Sequence, residues 1–146
     1  MFNSKVVFVA AAIALAGLGA CSQQAAEPAQ APAAVSTELT AAAPIAVGAF
    51  EGRSDHITTG VAKIVGEPGQ YTLVLAEDFE LDGAPDPIVG FGNDGAFDLA
   101  TSVGSLKNRT GAQTYALPAS FDPAANSEVY IWCEQFSVPL GVATLQ

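Results

Sequence analysis

The chain from about residue 45 to residue 146 alternates short apolar runs with glycine and proline. No window keeps a helical period, and β-branched and aromatic residues fill the gaps between the turn residues. Strands are predicted over residues 60–65, 70–76, 87–91, 113–117 and 129–136. The pattern predicts an all-β fold, either a small antiparallel β-sandwich or a partly closed barrel.

Individual runs predict more than their secondary structure. Tyr71, Leu73 and Leu75 alternate, so they share one face of their strand. The run from Val129 to Phe136 is apolar on both faces, which predicts a central strand. Pro139 cannot donate to a ladder, so the following segment is expected at an edge or a bulge. Turns are predicted at residues 67–69 and 81–83, and at 93–95, where Asn-Asp-Gly gives the strongest signal.

The amino-terminal segment has a different character. Asn3 and Lys5 precede an uncharged apolar run from Val6 to Gly17. This run is too short to span a bilayer and fits the core of a secretory signal. Leu18-Gly19-Ala20-Cys21 resembles the lipobox of bacterial lipoproteins. The resemblance implies a signal peptide over residues 1–20 and a lipid on Cys21; the alternative is ordinary secretion with cleavage nearby.

The lipid would decide where the protein resides. No second apolar run is long enough to cross a membrane, so acyl chains on Cys21 would be the anchor. This predicts a cell-envelope protein on the extracytoplasmic side, in the periplasm or on the outer surface. Residues 22–44 are rich in Ala, Pro and Gln and lack aromatic residues, so residues 21–44 are expected to form a disordered tether. Residues 45–146 are long enough for one core.

Charge and composition exclude several functions. With 5 basic and 15 acidic residues the net charge is −10, which argues against nucleic acid as a partner. One histidine and two cysteines are too few for a blue-copper centre or a structural zinc site, and no metal is predicted. The acidic run over residues 77–82 lacks the EF-hand spacing, and its carboxylates are expected to face solvent. No hydrolase motif is present, and the domain is not expected to be an enzyme by itself.

The second cysteine draws attention because lipidation of Cys21 leaves Cys133 without a partner in the chain. Such a thiol is an inert core residue, an intermolecular bridge or a reactive group. On a strand, Val129, Ile131 and Cys133 share one face, and Tyr130, Trp132 and Glu134 share the other. In a purely structural role, Cys133 packs beside Ile131 in the core. In a functional role it is a redox group or a soft metal ligand, although the negative charge of nearby Glu134 disfavours the thiolate.

Several segments taken in order resemble the DM-thirteen domain, a small extracellular β-domain of bacterial and animal surface proteins. The segments are Phe50-Glu51-Gly52, His56 with Gly60-Val61-Ala62, Tyr71 to Phe79, Ala84-Pro85-Asp86-Pro87, Gly111 to Pro118, and Ile131-Trp132-Cys133-Glu134 with Phe136. The likeness covers about residues 50–145, and its last two segments are the most specific. Many members have Gly-Pro-Asp-Leu where this chain has Gly-Ala-Pro-Asp-Pro at residues 83–87. The inserted alanine and the second proline change this loop, so the resemblance does not predict a partner-binding role for it.

The resemblance implies an electron-transfer system at the cell surface. The family's cysteine, a bare thiol or the ligand of a prosthetic group, matches Cys133, and its early histidine matches His56. Trp132 is expected to shield the sulfur, and His56 to act as a second ligand or proton partner. The cofactor is unknown, and a redox protein is the expected partner. The alternative is a non-catalytic surface binding or adhesion module in which Cys133 only packs.

Overall fold

The computed structural model describes residues 43–146, which form an antiparallel β-domain. Its strands are β1 (Ala46–Gly52), β2 (Thr58–Thr59), β3 (Val61–Val65), β4 (Thr72–Leu75), β5 (Glu80–Leu81), β6 (Pro87–Asn93), β7 (Ala96–Asp98), β8 (Gly104–Ser105), β9 (Gln113–Ala116), β10 (Glu128–Cys133) and β11 (Val138–Thr144). A 3-10 turn, Leu99–Thr101, follows β7. The predicted signal peptide, Cys21 and nearly all of the predicted tether lie outside the described residues. Within residues 43–146, no helix is long and apolar enough to cross a membrane.

One sheet makes up most of the domain. Its strand order is β7-β6-β10-β11-β1-β3-β4-β9, with β8 also paired to β6, and every pairing is antiparallel. The sheet curls into a half-barrel, and β2 and β5 form a separate two-stranded ribbon. The prediction of an all-β fold with a sandwich or partly closed barrel is therefore confirmed.

The concave face of the half-barrel holds the core. Alternate residues of β3, β4, β6, β9 and β10 point into it, including Ile64, Leu73, Leu75, Phe91 and Ile131. Phe121, in the loop before β10, lies between the two ends of the sheet. Its ring centroid is 4.6 Å from that of Phe91 in β6 and 6.0 Å from that of Tyr71 before β4. These edge and tilted contacts close the open side of the half-barrel.

The turn predicted at residues 93–95 and the central strand predicted from residue 129 are both present in the structure. Asp94 and Gly95 form the turn of the β6–β7 hairpin with φ of 52° and 79°, as a two-residue turn with positive φ requires. Strand β10 lies between β6 and β11, so its predicted central position is confirmed. It ends at Cys133, and residues 134–137 form the turn into β11 instead of continuing the strand.

Strand β11 decides between the two alternatives predicted for Pro139, an edge or a bulge, in favour of the bulge. The strand lies inside the sheet, between β10 and β1, and is not an edge. The register shifts from Ile131 opposite Gly141 to Trp132 opposite Pro139, which leaves Leu140 as the extra residue of a bulge. The bulge accommodates proline's missing donor. The Leu140 carbonyl accepts hydrogen bonds from the Thr58 hydroxyl at 2.8 Å and the Arg53 amide at 2.9 Å.

The two ends of the described chain meet at one end of the sheet. The Val47 amide donates to the Gln146 carbonyl at 3.0 Å, and the Gln146 amide donates back to the Val47 carbonyl at 2.9 Å. Glu128, at the start of β10, pairs with Thr144 nearby. Cys133 ends the same strand beside Val138 and Pro87, so it lies toward the opposite end of the sheet.

Candidate functional site

Cys133 occupies the core face at the end of β10. Its side chain is 1% exposed and belongs to the same apolar cluster as Val129 and Ile131. The strand alternation predicted for these three residues is thus the one observed. Glu134 departs from it, because it lies in the exposed turn after the strand.

A loop of residues 82–86, here called the covering loop, lies over the thiol. The Cys133 sulfhydryl donates to the Pro85 carbonyl with Sγ 3.3 Å from the oxygen. The Glu134 amide donates to the Asp86 carbonyl, also at 3.3 Å. Asp86 has a φ of 43°, in the left-handed region where a side chain is disfavoured. These two hydrogen bonds therefore hold the far end of this loop against the end of β10.

His56 contacts the other end of the covering loop. Its Nδ1 lies 3.0 Å from Asp82 Oδ1, and the Ile57 amide donates to Asp82 Oδ2 at 3.1 Å. The Ile57 amide first, and then His56, hold the pKa of the Asp82 carboxyl below its usual value. The structure thus brings His56 and Cys133 to the same loop, three residues apart along it. Among the described residues, no hydrogen bond joins their two side chains.

A shallow pocket of about 370 Å³ lies on the solvent side of the covering loop. Pro85 and Asp86 form part of its wall, and Arg109 and Glu134 bring opposite charges to it. Cys133 does not line the pocket, because the Pro85 carbonyl lies against its sulfur. The covering loop therefore separates this pocket from the thiol.

Trp132 lies on the face of β10 opposite to Cys133. It is half-buried and stacks on Phe97 of β7, with ring centroids 4.6 Å apart and 20° between the planes. The expectation was that Trp132 shields the sulfur. In the structure the groups against the sulfur come from the core and the covering loop, and Trp132 belongs to a separate aromatic group.

That group, here called the outer cluster, comprises Phe97, Tyr130 and Trp132. The Tyr130 ring centroid lies 5.5 Å from Phe97 and 6.5 Å from Trp132. The rings occupy space that two glycines of β6 leave open. An added Cβ would lie 2.8 Å from Phe97 at Gly90, and 2.8 Å from Tyr130 at Gly92. The outer cluster was not predicted from the sequence; the pattern that indicates it is Gly-Phe-Gly at residues 90–92, paired with a strand rich in aromatic residues.

The carboxylates of the described residues do not cluster into a metal site. Within residues 43–146, no three His, Cys, Asp or Glu side chains come together as a metal site, and this includes the acidic run over residues 77–82. Asp78 instead accepts a hydrogen bond from the Val61 amide, and Asp82 is engaged by His56 and Ile57. Two of the acidic side chains of this region therefore fasten loops to strands.

The fold and the site define a small antiparallel half-barrel domain with a buried thiol under a loop. The chain belongs to the family described as Electron transfer DM13, whose model matches residues 49–145. That match spans the sheet almost completely, and it includes His56, Trp132 and Cys133. No curated protein and no solved structure matches the chain.

Proposed function

We propose that this protein is a lipid-anchored domain of the cell envelope that takes part in extracytoplasmic electron transfer, with Cys133 as its redox centre. The observation that carries the proposal is the family match over residues 49–145, which contains Cys133. The anchor rests on the lipobox-like Leu18 to Cys21, outside the described residues. A redox protein of the same compartment would be the partner.

A prosthetic group does not fit the surroundings of Cys133. The thiol is 1% exposed, its hydrogen-bond acceptor is a backbone carbonyl, and no second Cys or His hydrogen-bonds to it within the described residues. A bound group would need open space and a further ligand beside the sulfur. The proposal therefore takes Cys133 as a bare thiol.

Opening of the covering loop would expose the thiol of Cys133 to a partner. The loop is fastened by the Cys133–Pro85 and Glu134–Asp86 hydrogen bonds, and at its other end by the exposed His56–Asp82 pair and two hydrogen bonds between Ile57 and Asp82. Single hydrogen bonds and exposed ion pairs contribute little stability, and of this loop only the small side chain of Ala84 is in the core, so we expect residues 83–86 to open without global unfolding. Once exposed and deprotonated, the thiolate attacks hydrogen peroxide. An S–O bond forms as the O–O bond breaks, and hydroxide leaves and takes up the proton that the thiol released, so the products are a sulfenic acid and water.

Thiol labelling tests this proposal. The protein should react with a maleimide at least about tenfold faster than global unfolding allows, and the rate should depend weakly on urea, because a local opening exposes little surface. Mild hydrogen peroxide should then give a sulfenic acid on native protein. The matched control is Val129→Cys in a Cys133→Ala background, since Val129 is 0% exposed in the same strand and far from the covering loop.

The same experiment decides between the proposal and its alternative. The 1% exposure of Cys133 favours a second candidate function, a surface binding module in which the thiol only fills the core. In that case both thiols label at the same rate, with the urea dependence of global unfolding. No sulfenic acid forms before the protein unfolds. That result would remove the redox proposal and leave the binding module.

The anchor requires its own test. Wild-type protein from a bacterial membrane fraction should partition into the detergent phase, because lipid on Cys21 would supply a large apolar surface. Cys21→Ser should accumulate as an uncut precursor or as a soluble form in the aqueous phase. Cys133→Ser is the matched control and should partition like wild type. Equal partitioning of Cys21→Ser and wild type would show that the anchor proposal is wrong.

A further inference from the structure

The outer cluster combines features that simple packing does not require. Trp132 is half-buried and reaches solvent, whereas Tyr130 is 2% exposed beneath it. Phe97 stacks on Trp132 at 4.6 Å and contacts Tyr130 at 5.5 Å, so the three rings form one contiguous path. Because electron tunnelling weakens steeply with distance, rings in contact exchange electrons far faster than rings that lie further apart.

Tyr130 is also provided with a proton acceptor. Its hydroxyl donates to Glu128 Oε2 at 3.0 Å, and the Gly95 amide donates to the same oxygen at 2.9 Å. The carboxylate is therefore held in place by the β6–β7 turn and lies within the reach that general-base chemistry needs. Burial first, and then Glu128, raise the pKa of Tyr130 to about 12, so the phenol is neutral at rest.

Tyr115 shows that burial of a tyrosine in this fold does not require such an arrangement. It is 4% exposed, and its hydroxyl donates to the amide oxygen of Gln113 at 2.8 Å and accepts from the Lys107 amide. An amide oxygen is a very weak base and does not take the phenolic proton. Burial is thus common to both tyrosines, and the aligned carboxylate belongs to Tyr130.

We propose that the outer cluster is a one-electron oxidation site, in which Trp132 gives an electron to a strong oxidant at the surface and Tyr130 then reduces the Trp132 radical cation. The phenolic proton moves to Glu128 as that second electron leaves. The oxidant is of the class of a ferryl haem or a metal(III) complex, and it is reduced by one electron. The products are a neutral tyrosyl radical and a protonated Glu128 carboxyl, so charge and atoms balance.

The proposal goes beyond the function of Cys133 and does not depend on it. Cys133 lies one residue from Trp132 but on the other face of β10, and it has no place in the path from Trp132 through Phe97 to Tyr130. Oxidation of Trp132 and Tyr130 would take place on the side of the sheet that faces away from the thiol. Cys133→Ala protein should show the same radical chemistry as wild type, which separates the two proposals experimentally.

Flash photolysis of the whole protein with photogenerated ruthenium(III) tris-bipyridine provides the test. Trp132 is the single tryptophan, so the transient absorbance of its radical has one source. In wild type this radical should decay as the tyrosyl radical appears. Tyr130→Phe should prolong the Trp132 radical about tenfold or more, while Tyr115→Phe leaves it unchanged. Glu128→Gln should slow tyrosyl formation by about tenfold or more, because the base is lost and the hydrogen-bond geometry is kept.

A readout on the unmodified protein keeps the test valid even if Glu128→Gln does not fold. Proton transfer to Glu128 should make tyrosyl formation in wild type measurably slower in heavy water. Equal Trp132 radical lifetimes in wild type and Tyr130→Phe would overturn the proposal, and so would the absence of a solvent isotope effect. If the solvent isotope effect is lost in Tyr115→Phe but kept in Tyr130→Phe, Tyr115 is the tyrosine that is oxidised, and the proposal is overturned as well.

Discussion

Phe91→Ala should lower the free energy of unfolding by about 3–5 kcal/mol, the usual cost of emptying a fully buried aromatic site. Phe91 is 0% exposed, and its ring packs 4.6 Å from Phe121, which closes the open side of the half-barrel. The surroundings cannot easily collapse into the cavity. The backbone at residue 91 is held by the Thr101 hydroxyl, which lies 2.8 Å from both its amide nitrogen and its carbonyl oxygen.

Urea unfolding followed by far-ultraviolet circular dichroism measures this loss. Phe136→Ala is the matched control, since the same atoms are removed from a side chain that is 62% exposed in the β10–β11 turn. It should change stability by no more than about 0.5 kcal/mol. A loss below about 1 kcal/mol for Phe91→Ala would show that Phe121 does not depend on it and that the open side is closed in another way.

Gly92→Ala should cost about 3 kcal/mol or more, at the upper end of the range for overpacked sites. An added Cβ would lie 2.0 Å from the Ala96 carbonyl oxygen and 2.8 Å from the Tyr130 ring. The first contact is with backbone across a two-residue hairpin, so it cannot be relieved by a side-chain rotation. The β6–β7 hairpin must distort, and with it Phe97 leaves its position on Trp132.

Gly69→Ala separates this crowding from the ordinary loss of glycine's conformational freedom. Nothing lies within 4 Å of a Cβ at Gly69, and its φ is 84°, so only backbone strain of about 1–2 kcal/mol is expected there. Chemical denaturation gives both values, and the fluorescence of the single tryptophan reports Phe97. If Gly92→Ala costs no more than Gly69→Ala, or leaves the fluorescence unchanged, the tight hairpin does not support the outer cluster.

Local sequence signals were sufficient for much of the fold. The alternation of Val129, Ile131 and Cys133 placed the core face of β10, and Asn-Asp-Gly at residues 93–95 placed a hairpin turn, because side-chain period and turn conformation depend on neighbouring residues. The position of strand β11 inside the sheet could not be predicted from neighbouring residues. Its Pro139 is tolerated inside the sheet through a bulge fastened by Thr58, which is distant in sequence.

The candidate site shows the same division. Sequence identified Cys133 and its orientation, but the contact with Pro85 and the shared loop with His56 depend on how residues 82–86 fold back across the end of β10. The outer cluster was missed because Phe97 belongs to a three-residue strand with no periodicity of its own. Only the pairing of β7 with β6 brings it over Gly90 and toward Trp132.

The meeting of the chain ends at Val47 and Gln146 determines how the domain is presented. Strand β11 and its extension run from Val138, beside Cys133, to Gln146, beside Val47, which is on the order of 25 Å for an extended chain. Any attachment through the residues before Ile45 therefore holds the domain by one end and leaves the covering loop at the other. A partner arriving from the side away from the attachment would meet that loop first, with the body of the sheet serving as a spacer.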